Sequence, residues 1–351
     1  MSFPELTRFP ENPLIVPERV RPSSPLLRVE GVFNPAALRI DGETVLYCRV
    51  AESASPTGPG RSAVPIIGAS GGLELLDIDS SKYDLSDPRV LLSSEGRTMY
   101  LSSLSHVRQA RSRDGRRFEV DDKPCLSGRP GDAEWGVEDP RAVMIEGKRY
   151  LSYSAVSRNG VGVAIASGDS GSRFERIGMA LPPTNKDAAL FPEKVGGLYW
   201  MLHRPCPDGI GHPDIWIASS PDLVHWGAHS RLLGGDEGQN WEARKVGAGA
   251  PPIRTDAGWL LLYHGVDSHE RYSVGVALLD AEDPTKILAR SPEPLLEAET
   301  DYERRGFFGG AVFPCGAFLE GGDIVMYYGA ADRSVCGASI PLAAALERLG
   351  R

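Results

Sequence analysis

Residues 34–49 read NPAALRIDGETVLYCR: an apolar run, an Asp-Gly pair, and a second apolar run that ends on Arg49. Asp-Gly between two such runs is the strongest short-range signal for a tight β-hairpin. The same design recurs at DPRAVMIEGKRYLSYS (139–154), DAALFPEKVGGLYWMLHR (187–204), APPIRTDAGWLLLYH (250–264) and CGAFLEGGDIVMYYGAAD (315–332), with turns EG, GG, DAG and GG. A second element, small residues with an acidic turn and then an aromatic, stands at ARSRDGRRFE (110–119), ASGDSGSRFE (166–175) and ASSPDLVHWG (218–227). It reads as the outer strands of the same sheets. Four-stranded units repeated about an axis make a propeller, so the sequence predicts an all-β fold, a five-bladed β-propeller. Inner strands of such a fold converge on one cavity, and polar residues at the hairpin ends become candidates for one site.

A chain of 351 residues with 41% hydrophobic content can bury an ample core, and 40 Gly with 28 Pro suit turn-rich β structure. The repeats run from about residue 30 to 340 with no linker between differently composed halves, so residues 1–351 are expected to form a single catalytic domain. A net charge of −9 argues against a nucleic-acid or anionic-membrane partner, which requires a basic footprint. The first twenty residues lack the apolar core of a signal peptide, and no apolar run of about 18 residues is present to span a membrane; a cytoplasmic protein is expected. Five Cys without CxxC spacing read as reduced thiols. The seven His show no metal-ligand spacing and no cofactor fingerprint is present, so neither metal nor cofactor is expected.

Two segments depart from the repeat. Residues 51–99 form a long insertion, rich in Ser, Gly and Pro near its start, of the kind that borders binding sites. PLAAALERLGR (341–351) has helical spacing and strong helix formers, and predicts a short terminal helix packed on the sheets or on a neighbouring subunit.

The chemistry-bearing residues sit at the hairpin ends. WGVEDPRAV (135–143) places Glu138 and Asp139 before a Pro at the start of an inner strand. Neighbours on extended chain point to opposite faces, so one carboxylate is expected to face the cavity while the other braces the strand or pairs with Arg141. Lys186 and Asp187 start one strand of the third hairpin, and His203 and Arg204 end its partner after the apolar YWML, which clusters the four. Lys245 precedes GAGAPP, whose small residues permit close backbone approach to a ligand, and Tyr263 and His264 follow WLLL. Cations from two successive hairpins, Arg204 with Lys245 and His264, can thus meet over one anion. At about 4 Å and an effective dielectric near 20, each unit-charge contact contributes on the order of 4 kcal/mol before desolvation. That suffices to hold a phosphate in an otherwise acidic protein.

GVEDPR, NKDAALFPEK with LHRP, and VGAGAPPI with YHGVD resemble the signatures of the inverting β-mannoside phosphorylases of glycoside hydrolase family 130, from FNPAA near residue 33 to YYGAAD near 332. The resemblance implies a five-bladed propeller that cleaves a β-mannosidic bond with inorganic phosphate as co-substrate, releasing α-mannose 1-phosphate and a shortened sugar. It implies Asp139 as general acid, acting in this family through a sugar hydroxyl. Arg204, Lys245 and His264 are implied as phosphate ligands, with Tyr272 as a further contact. Asn34, Arg49, Lys186, Asp187 and Asp332 fall on motifs bordering the mannose subsite, and Ser105 and His106 on a less diagnostic segment. The expected partners are a β-mannoside oligosaccharide and phosphate, with relatives commonly forming homo-oligomers.

An inverting hydrolase requires a second carboxyl roughly 6.5 to 9.5 Å from the first to activate water. Phosphate arrives anionic and nucleophilic and requires cations that hold it in line instead. A β-mannoside hydrolase on the same scaffold and an inert sugar-binding propeller remain open, as do linkage (β-1,4 or β-1,2) and acceptor sugar. The presence of Arg204, Lys245 and His264 favours phosphorolysis over hydrolysis, and Asp139 argues against the inert reading.

Overall fold

The computed structural model describes residues 3, 5–169, 173–235 and 240–351. The turn of the 166–175 element lies partly outside these residues. The described chain is almost entirely antiparallel β-sheet. Its α-helices are Asp301–Arg304 and the C-terminal Leu342–Arg348, the helix expected from sequence. Ala345 and Leu349 of that terminal segment bury against the last sheets. Among the described residues no helix is long and apolar enough to cross a membrane.

The first hairpin pairs Leu27–Ile40 with Glu43–Ala54, and Leu104–Ser112 and Glu119–Val120 extend it outward. Gly136–Ile145, Lys148–Ser157, Gly160–Gly168 and Glu175–Leu181 follow, joined to the first unit in one eight-stranded sheet through the parallel pair Gly136 and Ser105. A four-stranded sheet then runs Asn185–Leu190, Tyr199–Pro205, Ile215–Ser220 and Gly227–Leu233. In the next, Lys245–Ala248 and Ile253–Thr255 both pair with Gly258–Val266, followed by Tyr272–Leu279 and Ile287–Arg290. The last sheet holds Val312–Glu320, Asp323–Ala330 and Ser334–Pro341, and takes its outer strand, Thr7–Arg8, from the other end of the chain.

The turn chemistry holds as the sequence indicates. Asp41 and Gly42, Glu146 and Gly147, Gly196 and Gly197, and Gly321 and Gly322 all have positive φ. Two consecutive positive φ values define the tight turn whose twist matches that of paired strands, and Gly and Asp tolerate it best.

Because both faces of these sheets are covered, alternate residues of one strand serve different cores. Val45 and Tyr47 pack with Leu151 and Tyr153 of the second unit, while Leu46 and Cys48 of the same strand pack with Val325 and Tyr327 of the last sheet. Val143 and Ile165 pack with Leu190 and Met201; Leu202 and Ile217 with Trp259 and Leu261; Leu260 and Leu262 with Ile324 and Met326. Each large cluster is thus shared by consecutive units, and one joins the last unit to the first. Burying each such side chain stabilises the fold by about 1.5–3 kcal/mol. The 51–99 insertion and the residues just after it form two hairpins, Arg61–Ile67 with Leu73–Asp79 and Val90–Leu92 with Thr98–Leu101. One small apolar cluster packs the former on Leu27 and Ala54 of the first hairpin, and another joins the two through Val64, Ile66 and Leu91.

Candidate active site

Three hairpins begin with an Asn or Asp in the left-handed region: Asn34 (φ 47°), Asp139 (φ 47°) and Asp187 (φ 54°). At each of them the strand register slips, between Phe33 and Ala36, Glu138 and Arg141, and Lys186 and Ala189. Asn and Asp are the residues other than Gly that accept this conformation most readily, and a bulge there re-aims side chains. The bulge also cancels strict alternation. Glu138 and Asp139 therefore both line the same cavity, which corrects the expectation that one of them faces away.

That cavity encloses about 260 Å³. Asn34, Arg49, Asp139 and Asp332 line it, as do Lys186, Asp187, Arg204 and Tyr272. Lys245 and His264 stand beside this lining, in contact with it. Lys245 Nζ lies 5.0 Å from the centre of the Tyr272 ring, and the His264 ring stacks at 4.4 Å on Phe313, a wall residue.

Asp139 Oδ1 accepts hydrogen bonds from Asn34 Nδ2 at 2.8 Å and Arg49 Nη1 at 3.1 Å. Among the described residues its Oδ2 accepts none. The Arg49 guanidinium also donates to Glu138 Oε1 at 2.6 Å and to Ser105 Oγ at 3.1 Å, and packs 4.7 Å from the Phe33 ring centre. One arginine therefore binds both carboxylates. Burial would raise the pKa of Asp139, but Arg49, Arg141 and the Asn34 bond outweigh it and hold the carboxyl below its usual range. Asp332 behaves oppositely: burial, reinforced by the charges of Asp139 and Glu138, pushes it up to about 6 against the pull of Arg49 and Arg89. His106 is buried, accepts a hydrogen bond from Arg108 Nε at 3.0 Å, and does not line the cavity.

Asp187 is an internal anion at the centre of the cations. Its Oδ2 lies 2.8 Å from Arg204 Nη2 and 3.5 Å from His264 Nε2, and its Oδ1 accepts from Arg141 Nη2 at 3.3 Å. Burial opposes ionisation, but Arg204 and Arg141 outweigh it and keep the carboxylate ionised. Arg141 spans three inner strands: it also donates to the carbonyls of Asp139 (2.8 Å), Ala248 (3.0 Å) and Gly249 (3.2 Å). It is thus a structural clamp for Asp187 rather than the partner of the Glu138–Asp139 carboxylates.

The GAGA stretch has a different role from the one expected. A Cβ on Gly247 would stand 2.4 Å from the His264 ring and 2.6 Å from Asp187 Oδ2. Small size here makes room for protein side chains, not for ligand.

Lys186 and Arg204 are register partners across their hairpin. Burial, with Arg204 and Lys186 close by, pushes the Lys245 ammonium down to about 8. The Tyr272 phenol is driven up by burial and so remains a protonated donor. His264 departs from its expected role as a cation. Burial, joined by Arg204, Arg141 and Lys245, pushes its pKa down to about 3 in spite of Asp187, so near neutral pH the ring is uncharged.

Several wall residues were not singled out by the sequence reading, two of them with chemistry of their own. Arg89, from the insertion, and Phe308, from the irregular 306–311 stretch, face the same cavity. Both lie outside the repeat, so periodicity carried no signal for them.

A sequence profile described as beta-1,4-mannooligosaccharide phosphorylase, glycoside hydrolase family 130, matches residues 96–349. A beta-1,2-mannobiose phosphorylase of Listeria innocua serovar 6a is 42% identical over 348 residues, 97% of this chain and 98% of the relative. A beta-1,4-mannooligosaccharide phosphorylase of Ruminococcus albus is 34% identical over 209 residues, 58% of this chain and 62% of the relative. Among solved structures, the beta-1,2-mannobiose phosphorylase from Listeria innocua in complex with beta-1,2-mannobiose superposes with a TM-score of 0.94 at 42% identity, covering 98% of this chain and 99% of that one.

Proposed function

This chain belongs to glycoside hydrolase family 130, and on that premise we propose that it cleaves a β-mannosidic bond with inorganic phosphate, by inversion. The products are α-mannose 1-phosphate and a shortened sugar. We infer a β-1,2 linkage, because the β-1,2-mannobiose relative matches nearly the full length and the β-1,4 relative only part of it. We read the fold as one domain of five blades, supported by five repeat hairpins, of which the fourth seeds a five-stranded unit and the others four-stranded ones, and by apolar clusters shared between consecutive units. Free Cys48, Cys125, Cys206, Cys315 and Cys336 suit a cytoplasmic setting.

The observation that carries the reading is the pairing of Asp139 with a cationic group on one cavity wall. Lys186, Arg204 and Lys245, with the Tyr272 phenol, offer more positive charge than Asp187 cancels. A phosphate dianion held there attacks the anomeric carbon as the C1–O glycosidic bond breaks. Asp139 supplies the proton for the leaving oxygen, and the proton that HPO₄²⁻ loses on forming the ester restores the acid. Arg49 and Arg141 hold Asp139 ionised. A bound dianion raises its pKa by like-charge repulsion, so phosphate binding helps load the acid with its proton. Glu138 is tied to Arg49 and is the brace of this pair rather than a base for water.

Incubation with β-1,2- and β-1,4-mannobiose, each with and without phosphate, tests the proposal. Phosphate-dependent mannose 1-phosphate from the β-1,2 substrate is expected. Phosphate-independent free mannose would establish a hydrolase, and unchanged sugar a binding protein.

A further inference from the structure

We infer that Arg89, seated on Phe308, is a specificity-determining contact for the leaving sugar; this rests on the phosphorolytic reading above. Arg89 and Val90 of the insertion, with Leu101 and Ser103 just after it, supply one side of the cavity. Arg89 is fixed from two directions. Its Nε and Nη2 bind the Asp87 carboxylate at 2.9 Å and 2.7 Å, and its guanidinium lies 4.4 Å from the Phe308 ring centre. Phe308 in turn meets Tyr272 edge-on at 5.7 Å, and its backbone N–H donates to the Ala331 carbonyl, next to Asp332. Among the described residues, Arg89 Nη1 has no hydrogen-bond partner.

This arrangement suits a neutral polyol better than a phosphate. Asp87 cancels the Arg89 charge, whereas the three cations Lys186, Arg204 and Lys245 face two carboxylates, Asp187 and Glu270. What remains is a rigid pair of N–H donors beside an aromatic ring, the combination that takes a sugar hydroxyl with a C–H face. Depth assigns the sugar. Side-chain exposure rises from 2% at Asp187 and 7% at Arg204 to 15% at Asp139 and 38% at Arg89. In an inverting displacement the nucleophile and leaving group lie on opposite sides of the anomeric carbon. With phosphate at Arg204, the one buried cation of that group, and the acid midway, the leaving sugar occupies the mouth, where Arg89 stands.

The test compares wild type with Arg89→Ala and Arg89→Lys. Run in the synthetic direction, Arg89→Ala should raise the KM for acceptor mannose at least about tenfold, as expected for a lost hydrogen bond to a charged group. KM for mannose 1-phosphate should stay within about twofold, and Arg89→Lys should not restore the acceptor KM because lysine lacks the fork. Unchanged acceptor KM, or equal increases for both substrates, overturns the inference. Calorimetric titration of β-1,2-mannobiose without phosphate provides a readout independent of turnover. If the wild type binds but does not phosphorolyse, the functional reading fails, while about tenfold weaker binding by Arg89→Ala would still support the contact and equal binding would reject it. Thermal melts identify any variant that fails to fold.

Discussion

Asp139 and Lys245 divide the proposed reaction between them. Asp139→Asn keeps the Asn34 and Arg49 neighbourhood nearly isosteric but cannot donate a proton as the acid does. Its kcat/KM should fall by about 10² to 10⁴, the usual contribution of a positioned acid, with little change in melting temperature. Steady-state kinetics beside a thermal melt checks both halves. Lys245→Ala should raise the phosphate KM at least about tenfold and leave the mannobiose KM within about threefold. Equal effects on both would remove Lys245 from the anion site. The wild type should show the same dependence through pH. Since burial lowers the Lys245 pKa to about 8, the ammonium is present below that value and lost above it. The phosphate KM should therefore rise as pH climbs through about 8, and a flat profile from pH 7 to 9 would contradict the assignment.

The bulged inner strand is the element that turns ordinary hairpins into a site. Each bulge sets an Asn or Asp at positive φ and lets consecutive residues reach the same space, as Glu138 and Asp139 do. The fourth hairpin carries the opposite device, a small residue where its neighbours carry a polar one. Gly247→Ala inserts a methyl group between Asp187 and His264 in a packed, charged centre. Overpacking of this kind costs about 1–3 kcal/mol, and here it also displaces the carboxylate that orients Arg204. Denaturant melts should show that loss, together with a phosphate KM raised although no phosphate ligand was removed. A fully stable Gly247→Ala variant with normal kinetics would mean that the centre is looser than its geometry indicates.

Stability of the protein as a unit depends on a seam between its chain ends. Thr7–Arg8 pairs with the outer edge of the last sheet, and Arg8 binds Glu303 at 2.9 Å and Glu299 at 3.0 Å. Glu303 is fully buried and also accepts from the Tyr328 hydroxyl at 2.8 Å. Removing one partner of a buried ion pair leaves the other charge uncompensated, at roughly 3–5 kcal/mol. Arg8→Ala should therefore lower the denaturation midpoint substantially, although Arg8 is remote from Asp139 and absent from the cavity wall. A midpoint equal to wild type would show that the seam contributes little.

The residue order alone settled the hairpins, because Asp-Gly and Gly-Gly turns and alternating apolar runs are local signals that need no distant partner. It also placed Asn34, Asp139, Asp187 and Arg204 at hairpin ends, and all four line one cavity, whereas the candidates Lys245, His264, Ser105 and His106 do not. Burial, by contrast, is a property of neighbours brought together from afar. Only the folded arrangement shows that His264 is neutral, that Arg141 clamps Asp187, that Gly247 serves packing, and that Arg89 reaches the mouth from a stretch with no repeat. Charge state and depth depend on how much water and opposite charge surround a group, and the contacts that set both come from segments far apart along the chain.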